Sequence, residues 1–117
     1  MLKEKTSTRP LVSVAPMMDC TDKHDRFFLR LISKNVKLYT EMIVANAIIK
    51  GDTNHLLNFN LLEKPLALQI GGSEPKELAL ASKIAENYGY DEINLNLGCP
   101  SKKVQKNRFG ACLMKEP

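Results

Sequence analysis

The chain has 117 residues, which is enough for one small domain and too few for two. Hydrophobic residues make up 44% of the chain and charged residues 26%, a balance that is typical of folded proteins and argues against disorder. The net charge of +4 is compatible with a nucleic-acid partner but does not require one. No apolar run approaches the roughly 20 residues of a membrane span, and the lysine-containing start lacks the apolar stretch of a secretory signal.

The cysteine content favours a protein from a reducing compartment, which we expect to be the cytoplasm. There are three cysteines, an odd number, and no two of them form a C-x-x-C pair. The two histidines, His24 and His55, stand at no recognisable ligand spacing from the cysteines, so no metal site is predicted.

Short apolar stretches alternate with helical patterns along the chain. After a polar tail at residues 1–10, the sequence predicts strands at residues 11–15, 38–42, 65–70 and 93–97. Helical patterns occupy residues 22–32, 44–50, 53–59 and 75–88 between them. Strands separated by helices of this length form parallel sheets with right-handed crossovers. The fold class expected for residues 11–117 is therefore α/β with a parallel sheet.

Two of the predicted helices have clear boundaries and faces. Asp22 is expected to cap the first, whose apolar stripe contains Phe27, Phe28, Leu31 and Ile32. Ser73 and Pro75 open the longest helix, and Gly89 ends it. One face of that helix carries Leu78, Ala81, Ala85 and Tyr88.

The last two predicted strands alternate apolar and polar residues instead of being apolar on both faces. Gln69 faces away from Leu68 and Ile70, and Asn94 and Asn96 do the same in the next strand. Polar residues near the carboxyl ends of parallel strands suit the catalytic rim of a β/α barrel. Because eight strands take about 250 residues, the sequence predicts the N-terminal half of a (β/α)8 TIM-type barrel, either as a fragment or as a half-barrel that needs a partner.

The segment "NLGCPS", residues 96–101, presents a thiol. Gly98 permits a sharp turn, and Pro100 restricts Cys99 to extended backbone conformations. A basic cluster without any acidic residue follows and contains Lys102, Lys103, Lys106 and Arg108. Charge alone would favour a solvated loop, but beside a displayed thiol the cluster is a candidate for binding a polyanionic substrate.

Five segments in order resemble the tRNA-dihydrouridine synthases, most closely the bacterial A-type. They are "APMMD" (15–19), "YTEM" (39–42), "LQIGG" (68–72), "NLGCPS" (96–101) and "FGACLM" (109–114). The resemblance implies an FMN-dependent β/α barrel followed by a helical domain. Such an enzyme reduces the C5–C6 double bond of uridines in the tRNA D-loop, with NADPH as hydride donor. The implied partner is tRNA, with no DNA, membrane or metal.

The resemblance also implies roles for particular residues. Pro16, Met17 and Met18 match a segment that lies against the flavin ring and binds it largely through backbone groups, and polarisable methionines suit a flat aromatic system. Gln69 matches a glutamine that hydrogen-bonds the ring, although a barrel-lining residue bonded to its neighbours would look the same. Asn96 matches an asparagine that meets the target uridine, whereas Asn94 is expected to be structural.

Cys99 matches the catalytic cysteine of the family. Hydride addition at C6 of uracil leaves negative charge at C5, which then needs a proton. A cysteine thiol is mostly protonated at neutral pH and can donate one, and the motif supplies no nearby base to make it a nucleophile. We therefore expect Cys99 to act as a general acid, with Lys102 and Lys103 contacting the tRNA. Glu41 is a further candidate for lining the cofactor site.

Two other interpretations remain open at this point. The chain could belong to another FMN barrel oxidoreductase that acts on a free pyrimidine, or it could be a non-catalytic half-barrel that binds RNA or a partner chain. The barrel's usual phosphate site follows strands seven and eight, and the family's catalytic-site lysine and histidine match no residue before Pro117. We therefore expect the isolated chain to be inactive.

Overall fold

A parallel sheet forms the centre of the computed structural model, which describes residues 12–115. Its three strands are β1 (Leu38–Val44), β2 (Leu66–Gly71) and β3 (Glu92–Leu95), and they lie side by side in sequence order. Leu38 pairs with Leu66, and Gln69 pairs with Asn94. The parallel α/β prediction is confirmed for this part of the chain. The polar tail predicted at residues 1–10 lies outside the described residues.

The strand predicted at residues 11–15 does not form within the described part. A single parallel bridge between Ser13 and Lys37 stands in its place. The backbone N–H of Val14 donates to the carbonyl of Lys37 at 2.9 Å, and the N–H of Lys37 donates to the carbonyl of Val12 at 3.0 Å. Pro16, which has no N–H, follows two residues later, so the ladder cannot extend alongside β1.

Within residues 12–115, five helices and two 3-10 turns connect and flank the strands. The helices are α1 (Lys23–Ile32), α2 (Ala45–Lys50), α3 (Thr53–Leu57), α4 (Pro75–Tyr88) and α5 (Lys102–Lys106). The 3-10 turns are Leu61–Glu63 and Gly110–Lys115. Helix α5 corrects the expectation of a loop after Cys99, because Ser101 caps its first turn by accepting from the N–H of Val104. Glu74, not Ser73, is the N-cap of α4.

The main apolar core lies between the sheet and helices α2, α3 and α4. Its buried members are Ala45, Ile48, Leu57, Leu68, Ile70, Ala81 and Ala85. Leu78 and Tyr88 pack against them, so the predicted inner face of α4 is confirmed. The helix ends as expected at Gly89, whose φ of +90° suits a residue without a Cβ.

Helix α1 packs in the opposite sense to its expected apolar stripe. Arg26 and Arg30 are its buried residues, whereas Phe28, Leu31 and Ile32 are 60%, 68% and 67% exposed. The physical reason is that buried hydrogen-bond acceptors lie on the adjoining 3-10 turn. The Nε of Arg26 donates to the carboxylate of Glu63 at 2.6 Å, and Arg30 donates to the carbonyl of Glu63 at 2.9 Å.

No helix among the described residues is both long and apolar enough to cross a membrane.

Candidate functional site

Three side-chain amides meet at the carboxyl ends of β2 and β3. The Nε2 of Gln69 donates to Oδ1 of Asn94 at 2.7 Å, and its Oε1 accepts from Nδ2 of Asn96 at 3.0 Å. Gln69 is only 7% exposed, and its backbone N–H donates to the hydroxyl of Thr40 at 3.1 Å. The structure thus brings together Gln69 and Asn96, both predicted site residues. It joins Asn94 to them through a direct bond.

The turn that carries Cys99 is attached to this amide cluster. Oδ1 of Asn96 accepts from the backbone N–H of Gly98 at 3.1 Å and from that of Cys99 at 3.0 Å. Such an Asx-type turn satisfies two backbone donors with one side chain and fixes the direction of the chain. The Cys99 side chain is partly exposed and its thiol is free. After these bonds, the side chain of Asn96 has one N–H left for a ligand, and both lone pairs of its Oδ1 are occupied.

The "FGACLM" segment holds the Cys99 turn from the other side. The N–H of Ala111 donates to the carbonyl of Cys99 at 3.1 Å. Gly110 adopts φ +65°, and a Cβ there would lie 2.6 Å from the Cys99 carbonyl oxygen and 2.6 Å from a methyl carbon of Val104. Only glycine fits so close an approach in this conformation. The role of Gly110 was not predicted, although its place in a quoted motif was a signal.

Phe109 closes the end of β2 and is a second residue that sequence reasoning missed. The side chain is buried against Gly71, where a Cβ would lie 2.8 Å from Cε2 of Phe109 and 2.9 Å from Sδ of Met42. The glycine pair after Ile70 was the available signal, because a glycine inside a strand often marks close packing. Phe109 therefore connects the segment beyond Cys99 to the sheet.

The loop with Pro16, Met17 and Met18 folds as a compact turn. The N–H of Met17 donates to the hydroxyl of Thr21 at 3.0 Å, and the N–H of Thr21 donates to the Met17 carbonyl at 3.0 Å. Both backbone groups of Met17 are therefore engaged within the turn. The methionine side chains remain about half exposed, at 47% and 55%.

Glu41, in the middle of β1, holds this loop against the sheet. Its Oε1 accepts from the backbone N–H of Asp19 at 2.6 Å, and Asp19 itself adopts φ +60°. Met18, Thr40 and Glu41 line one cavity of about 500 Å³ that extends to α2 and α3. Gln69 does not line this cavity. The two predicted cofactor contacts, Met18 and Gln69, are linked instead through Thr40, which lines the cavity and bonds the backbone of Gln69.

Lys102 and Lys103 are exposed at the start of α5, three and four positions after Cys99. The buried residue of this helix is Val104, which packs near Gly110. The lysine side chains are therefore free to meet a ligand, while the helix itself is anchored on the Cys99 turn. Arg108 follows in the left-handed region with φ +58°.

Comparison with known proteins identifies the family. Residues 13–117 match the family model described as dihydrouridine synthase (Dus). The chain belongs to the dihydrouridine synthase family. This confirms the resemblance that the five sequence segments indicated, and the alternation of parallel strands and helices is consistent with part of a barrel.

Three relatives show how much of a family member this chain represents. A Xanthomonas campestris protein named tRNA-dihydrouridine(20/20a) synthase is 61% identical over 106 residues, which cover 91% of this chain and 32% of the relative. Proteins of the same name from Synechocystis and Pseudomonas aeruginosa are 58% and 57% identical, over 96% and 90% of this chain and 33% and 32% of their own lengths. The chain spans about a third of the length of these relatives.

The amide cluster offers hydrogen-bonding groups that fit a flat, carbonyl-rich ring system. Within residues 12–115, no group of three or more His, Cys, Asp or Glu residues is placed to hold a metal. Gln69, by contrast, retains one amide N–H and one carbonyl lone pair after its two side-chain bonds. These are the complements of an imide edge such as that of a flavin or a uracil.

Asp22, which follows the methionine loop, caps the first helix. Asp22 accepts from the backbone N–H groups of Asp25 at 2.8 Å and His24 at 2.9 Å, as predicted for a helix cap. The hydrogen bond from Asp25 is the main cause that lowers the pKa of Asp22. Asp22 therefore stays ionised at neutral pH and belongs to the helix rather than to a metal or catalytic group.

Proposed function

We propose that this chain carries the uridine-reducing site of an FMN-dependent tRNA-dihydrouridine synthase built on a β/α barrel. One observation carries the proposal. In a chain of the dihydrouridine synthase family, the Cys99 turn is bonded directly to the amide cluster of Gln69 and Asn96. A proton donor and ring-binding amides thus share one edge of the sheet, which is where β/α barrels do their chemistry.

Pro16, Met17, Met18 and Gln69 would hold the FMN ring. The exposed methionine side chains offer polarisable surface to a flat ring, and the remaining donor and acceptor of the Gln69 amide match an imide edge. FMN, when bound, supplies the transfer of a hydride from NADPH to C6 of the uracil. Glu41 keeps the methionine loop against β1 through its bond to Asp19 and so holds this wall of the site in position.

Cys99 supplies the proton that completes the reduction. Hydride at C6 converts the C5–C6 double bond into an enolate with negative charge at C5 and on the C4 oxygen. The Cys99 thiol donates its proton to C5, the base gains two hydrogens in total, and solvent returns a proton to the thiolate. General acid catalysis of this kind requires that the proton donor be held near the reacting atom. The two hydrogen bonds that Asn96 accepts from the backbone of Gly98 and Cys99 support this position.

Asn96, Lys102 and Lys103 would bind the tRNA. Asn96 has one N–H left, so it would meet the uracil through a carbonyl oxygen. The two exposed lysines would contact phosphates beside the target nucleotide, a contribution that weakens as salt rises.

A hybrid enzyme tests the proposal. This chain would replace the matching third of the Xanthomonas campestris relative, and the product would be compared with a Cys99→Ala variant and with Cys112→Ala as a matched control. We expect a yellow hybrid that forms dihydrouridine in tRNA with NADPH, measured by mass spectrometry of nucleosides. Cys99→Ala should keep its flavin but lose roughly 10²–10⁴-fold in rate, the range for general acid catalysis. Cys112→Ala should keep both.

Three results would contradict the proposal in different ways. A Cys99→Ala hybrid that reduces uridine at the parent rate would remove the general-acid role. A hybrid that reduces free uracil in preference to tRNA would favour the free-pyrimidine oxidoreductase. A colourless, inactive hybrid that still shifts tRNA in a gel would favour the non-catalytic binding module.

A further inference from the structure

We propose that Asn94, Gln69 and Asn96 form a one-way amide relay whose polarity is set by the backbone of the Cys99 turn, with Asn94 as the positioning residue at its far end. The relay has three links. Gly98 and Cys99 donate to Asn96, Asn96 donates to Gln69, and Gln69 donates to Asn94. The donor–acceptor distances along it lie between 2.7 and 3.1 Å.

The polarity of the relay follows from chemistry, starting at the turn. A backbone N–H can only donate, so the two N–H groups of the turn require the oxygen of the Asn96 amide. The nitrogen of Asn96 must then face Gln69, which has to present its own oxygen. The nitrogen of Gln69 therefore faces Asn94, which has to present Oδ1. Reversing any one amide would oppose two donors or two acceptors in a partly buried place.

The relay gives Asn94 a specific role. Without Asn94, Nε2 of Gln69 would lose its partner. The Gln69 side-chain amide could then rotate between two orientations, which would present either its N–H or its oxygen to a ligand. With it, Gln69 presents one N–H and one lone pair in fixed positions. Asn94 sits opposite Gln69 in the strand register, so the backbone itself holds the acceptor in place. Asn94 acts through Gln69 and need not touch a ligand.

The relay is a property of the chain alone, while its effect on cofactor binding rests on the proposed function. Amide hydrogen exchange of the ligand-free 117-residue chain tests the first link. In Asn96→Ala the amides of Gly98 and Cys99 should exchange about tenfold faster, since each loses its acceptor. Asn96→Asp keeps the acceptor oxygen and should stay within about threefold of the parent. The amides of Leu68 and Ile70 in the core serve as the internal reference.

Two substitutions of identical chemistry test the polarity. Asn94→Asp keeps the oxygen that Gln69 needs, whereas Asn96→Asp places an oxygen against the oxygen of Gln69. Both add the same charge. In the hybrid enzyme, Asn94→Asp should retain flavin within about twofold of the parent. Asn96→Asp, and also Asn94→Leu, should weaken flavin retention about tenfold through the loss of one hydrogen bond at Gln69.

The outcomes separate the relay from the function. Equal flavin retention in Asn94→Asp and Asn96→Asp, or parent-like retention in Asn94→Leu, would overturn the relay. So would unchanged exchange of the Gly98 and Cys99 amides in Asn96→Ala. If Asn96→Ala accelerates exchange at the core reference as well, the variant has lost its fold and the aspartate pair decides. If the unsubstituted hybrid is inactive but the 117-residue chain shows the expected exchange pattern, the proposed function is refuted and the relay remains in place.

Discussion

Helices α4 and α1 contact neighbouring strands of the same sheet but bury opposite chemistry. Helix α4 buries Ala81 and Ala85 against the apolar core, whereas α1 buries Arg26 and Arg30. The exposed face of α1 carries large apolar side chains instead. Helix α4 therefore follows its hydrophobic pattern, whereas α1 departs from it and places only Leu29 against a second, smaller apolar cluster of Val36, Leu38 and Leu66.

The difference lies in what each helix packs against. Helix α4 faces the apolar side chains of α2 and β2, so its small apolar residues have matching partners. Helix α1 faces the 3-10 turn with Glu63, which is 1% exposed and accepts from both Arg26 and the N–H of Asn60 at 2.6 Å. Burying a charge is costly unless it is paired and hydrogen-bonded, and here both partners are. A helix's inner face is thus decided by its partner as well as by its own periodicity.

Tyr90 lies where the apolar region beside α4 meets the polar region beside α1. It packs against both apolar clusters, its ring centroid is 4.7 Å from that of Phe59, and its hydroxyl donates to the carbonyl of Leu57 at 2.9 Å. Burial raises the pKa of Tyr90 well above its usual range. The phenol of Tyr90 therefore stays protonated as a hydrogen-bond donor under all ordinary conditions. Its contact between the polar and apolar regions does not change with pH.

The largest expected effect is that of removing the acceptor on the α1 side. Glu63→Ala leaves Arg26 buried without its counter-charge, and breaking a buried pair in this way costs roughly 3–5 kcal/mol. We expect the free energy of unfolding, measured by urea denaturation, to fall by that amount. Such a loss is a large fraction of the roughly 5–15 kcal/mol that is typical of native domains.

The double variant Arg26→Met/Glu63→Leu sharpens this result. Replacing both ions by apolar side chains of similar size removes the uncompensated charge, so the double variant should be more stable than Glu63→Ala. A double variant as unstable as the sum of its two single changes would show that the ion pair is not what fixes the inverted packing of α1.

The apolar region gives the next largest effect. Leu68 is fully buried between the sheet and the helices, and Leu68→Ala should lower the free energy of unfolding by roughly 3 kcal/mol, within the usual range for a cavity of this kind. The same urea titration measures it. A loss below about 1 kcal/mol would mean that the core around β2 repacks freely around the smaller side chain.

The fold was largely predictable from the sequence, and its exceptions have physical reasons. Periodicity located β1, β2, β3 and α4, because these elements contact apolar partners that are themselves regular. It located α1 and its cap as well but not the buried face of that helix, because a buried glutamate 33 and 37 positions further along the chain than the two arginines cannot be seen in a helix pattern. It failed also for the strand before Pro16, where one bridge forms and the missing N–H prevents a second.

The residues of the candidate site remain a prediction from the sequence, and the structure adds the contacts between them, which the sequence did not predict. Strand alternation and the motif around Cys99 indicated Gln69, Asn96 and Cys99. The bonds between them depend on register and on side-chain geometry, which no pattern in the sequence specifies. The bond between Gln69 and Asn94 could not be predicted for this reason. The packing of Phe109 on Gly71 is likewise a contact between distant parts of the chain.

The smallest expected effect concerns the outer face of α1. Leu31 is 68% exposed, and exposed substitutions away from special features usually change stability by less than about 0.5 kcal/mol. Leu31→Ala should therefore shift the urea midpoint only slightly, since alanine is also a better helix former than leucine. Leu68→Ala is the matched control, because it is the same chemical change at a position with no exposure. The two variants should differ by at least about 2 kcal/mol.

A loss of more than about 1.5 kcal/mol in Leu31→Ala would show that this face is covered in solution, and that the inversion of α1 is incomplete. Repeating the titration at a tenfold lower protein concentration distinguishes the cause, because cover by a second copy of the chain weakens on dilution and cover by the chain itself does not.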